Sequence, residues 1–178
     1  IEYKDARTGH PIVQRYYLAP SYNTAEPGRA EALDIALKIV GSGATSRLYQ
    51  RLVAGDKIAS NAGGWYSGIG MDSGKISVYG VPAEGISLEK LEAGIDAVIA
   101  DVKEKGVTSE EVERAKKAYL AEYVYESDNQ APLARRYGWA LTVGRTVADV
   151  ESWPAAISKI TVDDVNRAIK DHLDIRRS

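Results

Sequence analysis

At 178 residues and a formal charge of −2, the chain has the size of one domain, large enough to bury roughly two thirds of its unfolded surface. Its 44% hydrophobic and 27% charged residues exclude a disordered polymer, and its scattered lysines and arginines leave no electrostatic footprint for nucleic acid or an anionic membrane. The absence of cysteine removes disulfides, thiolate metal sites and thiol nucleophiles together, and no apolar run approaches the ~20 residues of a membrane span.

Residues 11–18, rich in β-branched and aromatic side chains and followed by Pro20, predict a first strand. A helix over 26–40 follows, with Pro27 suited to its first turn and Leu33, Ala36, Leu37 and Val40 on one face. The run Gly41-Ser42-Gly43-Ala44-Thr45-Ser46 breaks it, and Thr45 or Ser46 can cap a short helix to about Val53, closed by Gly55. Strands near 57–66 and 75–83, joined by a Gly/Asp/Ser turn at 68–74, predict a hairpin. The remainder reads as helices over 87–105, 108–126, 130–143 and 147–158, and a last one from Thr161, with Thr108-Ser109-Glu110-Glu111 forming a capping box. A strand, helices, a hairpin and then consecutive helices predict an α+β fold: a mixed or antiparallel sheet with helices on one face. The chain opens at Ile1 without a methionine, and Ile175 after the last helix reads as a strand beginning, so residues 1–178 are taken as one domain cut from a longer chain. These residues do not separate a periplasmic from a cytoplasmic protein.

Histidine bears most directly on a metal role, and the two present, His10 and His172, stand at opposite ends of the chain with no His or Glu at ligand spacing. They read as surface histidines. The pattern Gly41-x-Gly43-x-x-Ser46 follows a helix rather than a strand, which makes it a helix–helix turn rather than a dinucleotide loop, and Gly68-Ile69-Gly70 falls in the hairpin turn. The acidic pairs Glu110-Glu111 and Asp163-Asp164 sit in helical first turns, where carboxylates favour the helix dipole. No Gly-x-Ser-x-Gly elbow exists for a serine hydrolase. Tyr119, Tyr123, Tyr125, Tyr137 and Trp139 could form a binding patch, but in a chain without phenylalanine they are assigned to core and rim.

The run Gly41 to Leu52, Gly-Ser-Gly-Ala-Thr-Ser-Arg-Leu-Tyr-Gln-Arg-Leu, resembles the Gly-rich turn and Ser-Arg-Leu of the C-terminal, inactive halves of insulinase/pitrilysin-type zinc metallopeptidases. The hairpin after it, the helix start from Thr108 to Lys116, and Ile160-Thr161-Val162-Asp163-Asp164-Val165 extend the resemblance over most of residues 12–173. The resemblance implies a half-domain of the processing-peptidase/insulinase type. Zinc is then expected in the N-terminal half of the parent protein, held by His-x-x-Glu-His and a distant Glu, with no catalytic, metal or cofactor site in this chain. It also implies three partners: the zinc-bearing half-domain, a homologous partner subunit, and a peptide substrate in a chamber between halves or subunits. The function so implied is that of a non-catalytic, chamber-forming half of a zinc-dependent endopeptidase, the alternative being a non-enzymatic assembly or core subunit. Halves of this kind that touch substrate are expected to use an Arg and a Tyr; those positions here are Val53 and Ser60, with Tyr49 and Arg51 nearby on the wrong phase. The resemblance thus points to a clamp supplied by the partner subunit.

Overall fold

The computed structural model describes residue 9 and residues 11–178; the expectation for His10 lies outside them. Strands β1 (Val13–Pro20), β2 (Ala59–Ser67) and β3 (Ser73–Pro82) form an antiparallel sheet in the order β1-β3-β2. Alternation decides what each strand buries. In β1, Tyr17 and Ala19 point into the core while Gln14, Tyr16 and Leu18 point out, and the register Tyr17↔Ile76 and Tyr16↔Ser77 carries the two faces onto β3. Ile76 and Val78 are fully buried on the inner face, as the period-two pattern requires.

The helices cover that inner face alone. Helix α1 (Arg29–Gly41) is central: Leu33, Ile35, Ala36, Leu37 and Val40 are all buried, because β2 lies on one side of it and α6 (Val162–His172) on the other. It starts later than residue 26, since Gly28 turns the chain with φ 81° and Pro27 stands before the first turn. Its last residue, Gly41, meets β2 backbone to backbone: a methyl there would lie 2.4 Å from the Gly64 nitrogen. Side chains at this crossing would hold helix and strand apart.

After α1, Gly43 (φ 75°) and Ser46, whose hydroxyl donates to the Gly43 carbonyl at 2.8 Å, turn the chain into a short helix. From Tyr49 to Gly55 it winds as a π-helix, with the Asp56 N–H reaching the Arg51 carbonyl at 2.8 Å. Leu52 is buried beneath it, and helix α2 (Leu88–Lys105) receives it at Gly94, where any side chain would strike Ile58 and Leu52. On α2 itself Leu91, Ile95, Val98 and Val102 are buried, as their spacing predicts. Arg15 ties β1 to α2 through Asp96 and, at 2.7 Å, Glu92.

Helices α3 (Ser109–Ser127), α4 (Gln130–Thr142), α5 (Val147–Lys159) and α6 complete the layer. Three of them open with one device: Thr108/Glu111, Thr146/Asp149 and Thr161/Asp164 are reciprocal capping boxes, each satisfying two otherwise orphaned backbone donors. One member of each acidic pair in the sequence, Glu111 and Asp164, is therefore a capping residue. The segment Ile175–Arg177 forms a 3₁₀ turn beside β1 rather than the expected strand start.

Candidate functional site

Helix α1 is so enclosed that its few polar side chains are conspicuous. Glu31, Asp34 and Lys38 share one stripe, spaced three and four residues apart, and this stripe faces α3 and the loop before α1. Helices α3, α4 and α5 stand off from it and leave a cleft of about 640 Å³. Its floor is Asp34 with Tyr22 and Trp153; Tyr66 and Ile69 come from the end of β2 and the hairpin turn. Tyr119 and Tyr123 enter from α3, Arg136 and Trp139 from α4, and Arg145 from the turn after it.

A chain of donors ends on Asp34. Trp153 Nε1 donates to the Tyr22 hydroxyl at 2.6 Å, and Tyr22 donates in turn to the Asp34 carboxylate. Burial pushes the Asp34 carboxyl up to about 7, with Glu31 adding to the rise and Tyr22, Trp153 and Arg145 opposing it. Burial likewise pushes the hydroxyls of Tyr22 and Tyr119 well above the usual phenol range, so both remain protonated donors. Tyr119 donates to the Asp34 carbonyl at 3.2 Å, packs edge-on to Trp153 at 5.7 Å, and carries Lys38 over its ring at 4.7 Å.

The five aromatics assigned to core and rim thus divide differently. None belongs to the buried core; Tyr119, Tyr123 and Trp139 line the cleft, while Tyr125 is 80% exposed. Tyr119 and Tyr123, four residues apart, share one side of α3, and that side meets a cleft instead of the sheet. Asp34, Tyr22 and Trp153 escaped the sequence reading because they come from three separated segments. The one available signal was that Glu31, Asp34 and Lys38 form a single polar stripe on a helix that is otherwise apolar after Arg29.

The positions expected for a substrate clamp lie elsewhere. Val53 packs against the core from the π-helix, and Ser60 sits exposed at the β2 bulge, its hydroxyl 3.4 Å from the carbonyls of Val81 and Pro82. Arg51 points to solvent and pairs with Asp56 at 2.8 Å. Among the described residues no group of three or more His, Cys, Asp or Glu side chains is placed to hold a metal ion. His172, on the last turn of α6, is far in sequence from the Asp34 cleft and does not line it. These residues do not fit a zinc site.

A family model described as the peptidase M16 inactive domain matches residues 5–119. The chain belongs to that family. As an M16 inactive domain it shares its fold with the inactive peptidase domain of a candidate zinc protease from Bordetella parapertussis, at 22% identity and a TM-score of 0.84 over 95% of this chain and 89% of that one. A protease from Helicobacter pylori superposes with the same TM-score at 20% identity, over 93% of this chain and 39% of its own length. An M16 inactive domain from Pseudomonas fluorescens gives a TM-score of 0.73 at 16% identity, over 95% and 40%. The chain therefore spans about two fifths of the Helicobacter protease. Among curated proteins, none matches it.

Proposed function

We propose that this M16 inactive domain is the non-catalytic half of a zinc-dependent endopeptidase. It docks against a zinc-bearing half-domain of the same parent protein, and with a homologous partner subunit it walls a chamber that receives peptide. The family match along more than half of the chain carries this reading, and among the described residues no group is placed to hold a metal ion. The bare outer face of the sheet supports it: Leu18 is 71% exposed, Tyr16 46% and Trp65 45%, forming an apolar surface of the kind that marks an interaction site. Hydrolysis belongs to the other half; this domain supplies a wall and a rigid support. With Val53 and Ser60 at the clamp positions, the residues that hold peptide come from the partner subunit.

The experiment compares the parent protein with this chain alone, by peptide hydrolysis and by elemental analysis after dialysis. The parent is expected to hold zinc and cleave peptides, and this chain to do neither. One tightly held zinc per chain with ligands inside residues 1–178 overturns the proposal. A complete parent free of zinc and inactive with its partner reassigns the domain to an assembly subunit.

A further inference from the structure

Helices α1, α2, α3, α5 and α6 each bury side chains in the common core. Among the described residues α4 adds none to it: only Ala140 of its 13 residues is buried, and that methyl packs outside the core. Trp139 is 59% exposed and Leu141 52%, so little apolar burial holds the helix down. A helix of this length is marginal in water on its own. Gly138 weakens it further, since a glycine in a helix interior lowers the folding equilibrium of that helix about fivefold relative to alanine. A methyl at Gly138 would meet nothing within 4 Å, so no packing constraint asks for glycine there.

Polar and aromatic contacts at a few points keep α4 in place. Arg136 pairs with Glu126 at 2.6 Å and lies over the Tyr123 ring at 4.0 Å, both on α3. The Glu126 side chain is half exposed, and an ion pair so open to water contributes little. Past the end of α4, the Asn23 amide donates to the Val143 carbonyl at 2.7 Å and to the Gly70 carbonyl of the hairpin turn at 2.9 Å. Turns bound the helix on both sides: Asn129 caps it from an extended conformation, and Gly144 follows it with φ 85°. The floor beneath is fixed independently, because Trp153, Tyr22 and Asp34 are hydrogen-bonded in series and Trp153 packs against the core.

We propose that α4 is a flap that opens by local unfolding between Asn129 and Gly144 while the rest of the domain stays folded, and that its opening admits solutes to the inner wall of the cleft over Asp34. Helix α4 supplies Arg136, Trp139, Ala140 and Thr142 to the lining, so its departure removes one wall. Val150, buried on α5 and lining the same cleft, is then uncovered. The flap is independent of the peptidase reading, since only contacts within this chain enter it.

The test is residue-resolved hydrogen exchange on the full chain. Amides of residues 134–142 are expected to exchange at least about a hundredfold faster than those of α1, at rates nearly independent of low urea. Ile35→Val, which trims the core on α1, should speed exchange in α1 severalfold and leave α4 unchanged, because that core stays intact while the flap is open. Gly138→Ala should slow exchange in α4 about fivefold. The chain has no cysteine, so Val150→Cys supplies a single thiol on the cleft wall. Its alkylation by iodoacetamide should follow the exchange of α4 and slow about fivefold when Gly138→Ala is added. Equal protection of α4 and α1, a response of α4 to Ile35→Val as large as that of α1, exchange confined to the ends of α4, or no effect of Gly138→Ala overturns the flap. Alkylation that tracks α1 instead of α4 overturns the access. Should Val150→Cys fail to fold, exchange of the Trp153 indole N–H, bonded to Tyr22 on the floor, decides the access in the wild-type chain by the same comparison.

Discussion

Replacing Asp34 by Asn should change how the stability of this domain depends on pH, in a direction opposite to ordinary acid denaturation. The carboxyl ionises near 3.8 in the unfolded chain and near 7 in the folded one, because burial disfavours its charged form. Between those values the folded protein holds a proton that the unfolded protein releases, so rising pH favours unfolding. Each pH unit in that window is worth about 1.4 kcal/mol. From pH 5 to pH 7 the wild type should lose up to about 2.7 kcal/mol through this group, and about half of that where cleft water solvates the carboxylate. Carboxylates held below their usual range, such as Asp149 and Asp164 in the caps, act oppositely but titrate in more acid solution and are common to both proteins. Urea unfolding followed by tryptophan fluorescence at pH 5 and pH 8 isolates the difference. The stability of Asp34→Asn relative to wild type should increase by about 1.5–3 kcal/mol between the two, or several degrees in Tm. Parallel pH curves for the two proteins would refute the raised ionisation of Asp34.

Gly41→Ala should destabilise the domain by about 2 kcal/mol or more in chemical unfolding, since its methyl would lie 2.4 Å from the Gly64 nitrogen and neither backbone can retreat without parting α1 from β2; unchanged stability would mean that the crossing is loose. Glu111→Ala removes a capping-box member and a bidentate partner of Arg47, bonded at 2.6 and 2.8 Å, and should lower stability by about 2 kcal/mol, with Glu111→Gln losing less. Val53→Arg with Ser60→Tyr, in the reconstituted peptidase, should raise kcat/KM little, because Val53 packs on the core and an arginine there spends its reach escaping burial. Removing the Arg and Tyr from the partner subunit should lower kcat/KM on the order of a hundredfold. Full activity of the parent alone, or its appearance with the double substitution, would end the borrowed-clamp proposal.

What the sequence discloses follows the range of the forces involved. The strands, the helical stripes and the box at Thr108 rest on neighbours within four residues, and each appears where its pattern puts it. Helix α1 starts late because the positive φ of Gly28 is a local exception that the apolar stripe cannot report. The π-winding at Tyr49–Gly55 sets Leu52 on the bare surface that Gly94 offers from α2, some forty residues on, and no property of the segment itself announces it. The cleft was least legible, since Tyr22, Asp34, Tyr119 and Trp153 become a site only when four elements converge. Tyr119 and Tyr123 of α3 carry the spacing of a core face, and only the stand-off of α4 and α5 shows that they border open space.

The packing of α1 against α6, held at its edge by Arg29 and Asp171 at 3.0 Å, sets a schedule for biosynthesis. Roughly 120 residues separate the two helices, and at about 5–20 residues per second the ribosome needs roughly 6–24 s to deliver the second after the first. Throughout that interval the flank of α1 that meets α6 lacks its final cover, although the strands and α2 are already available. The nascent chain therefore emerges with its central helix bare on one flank until α6, the last α-helix made, arrives to cover it.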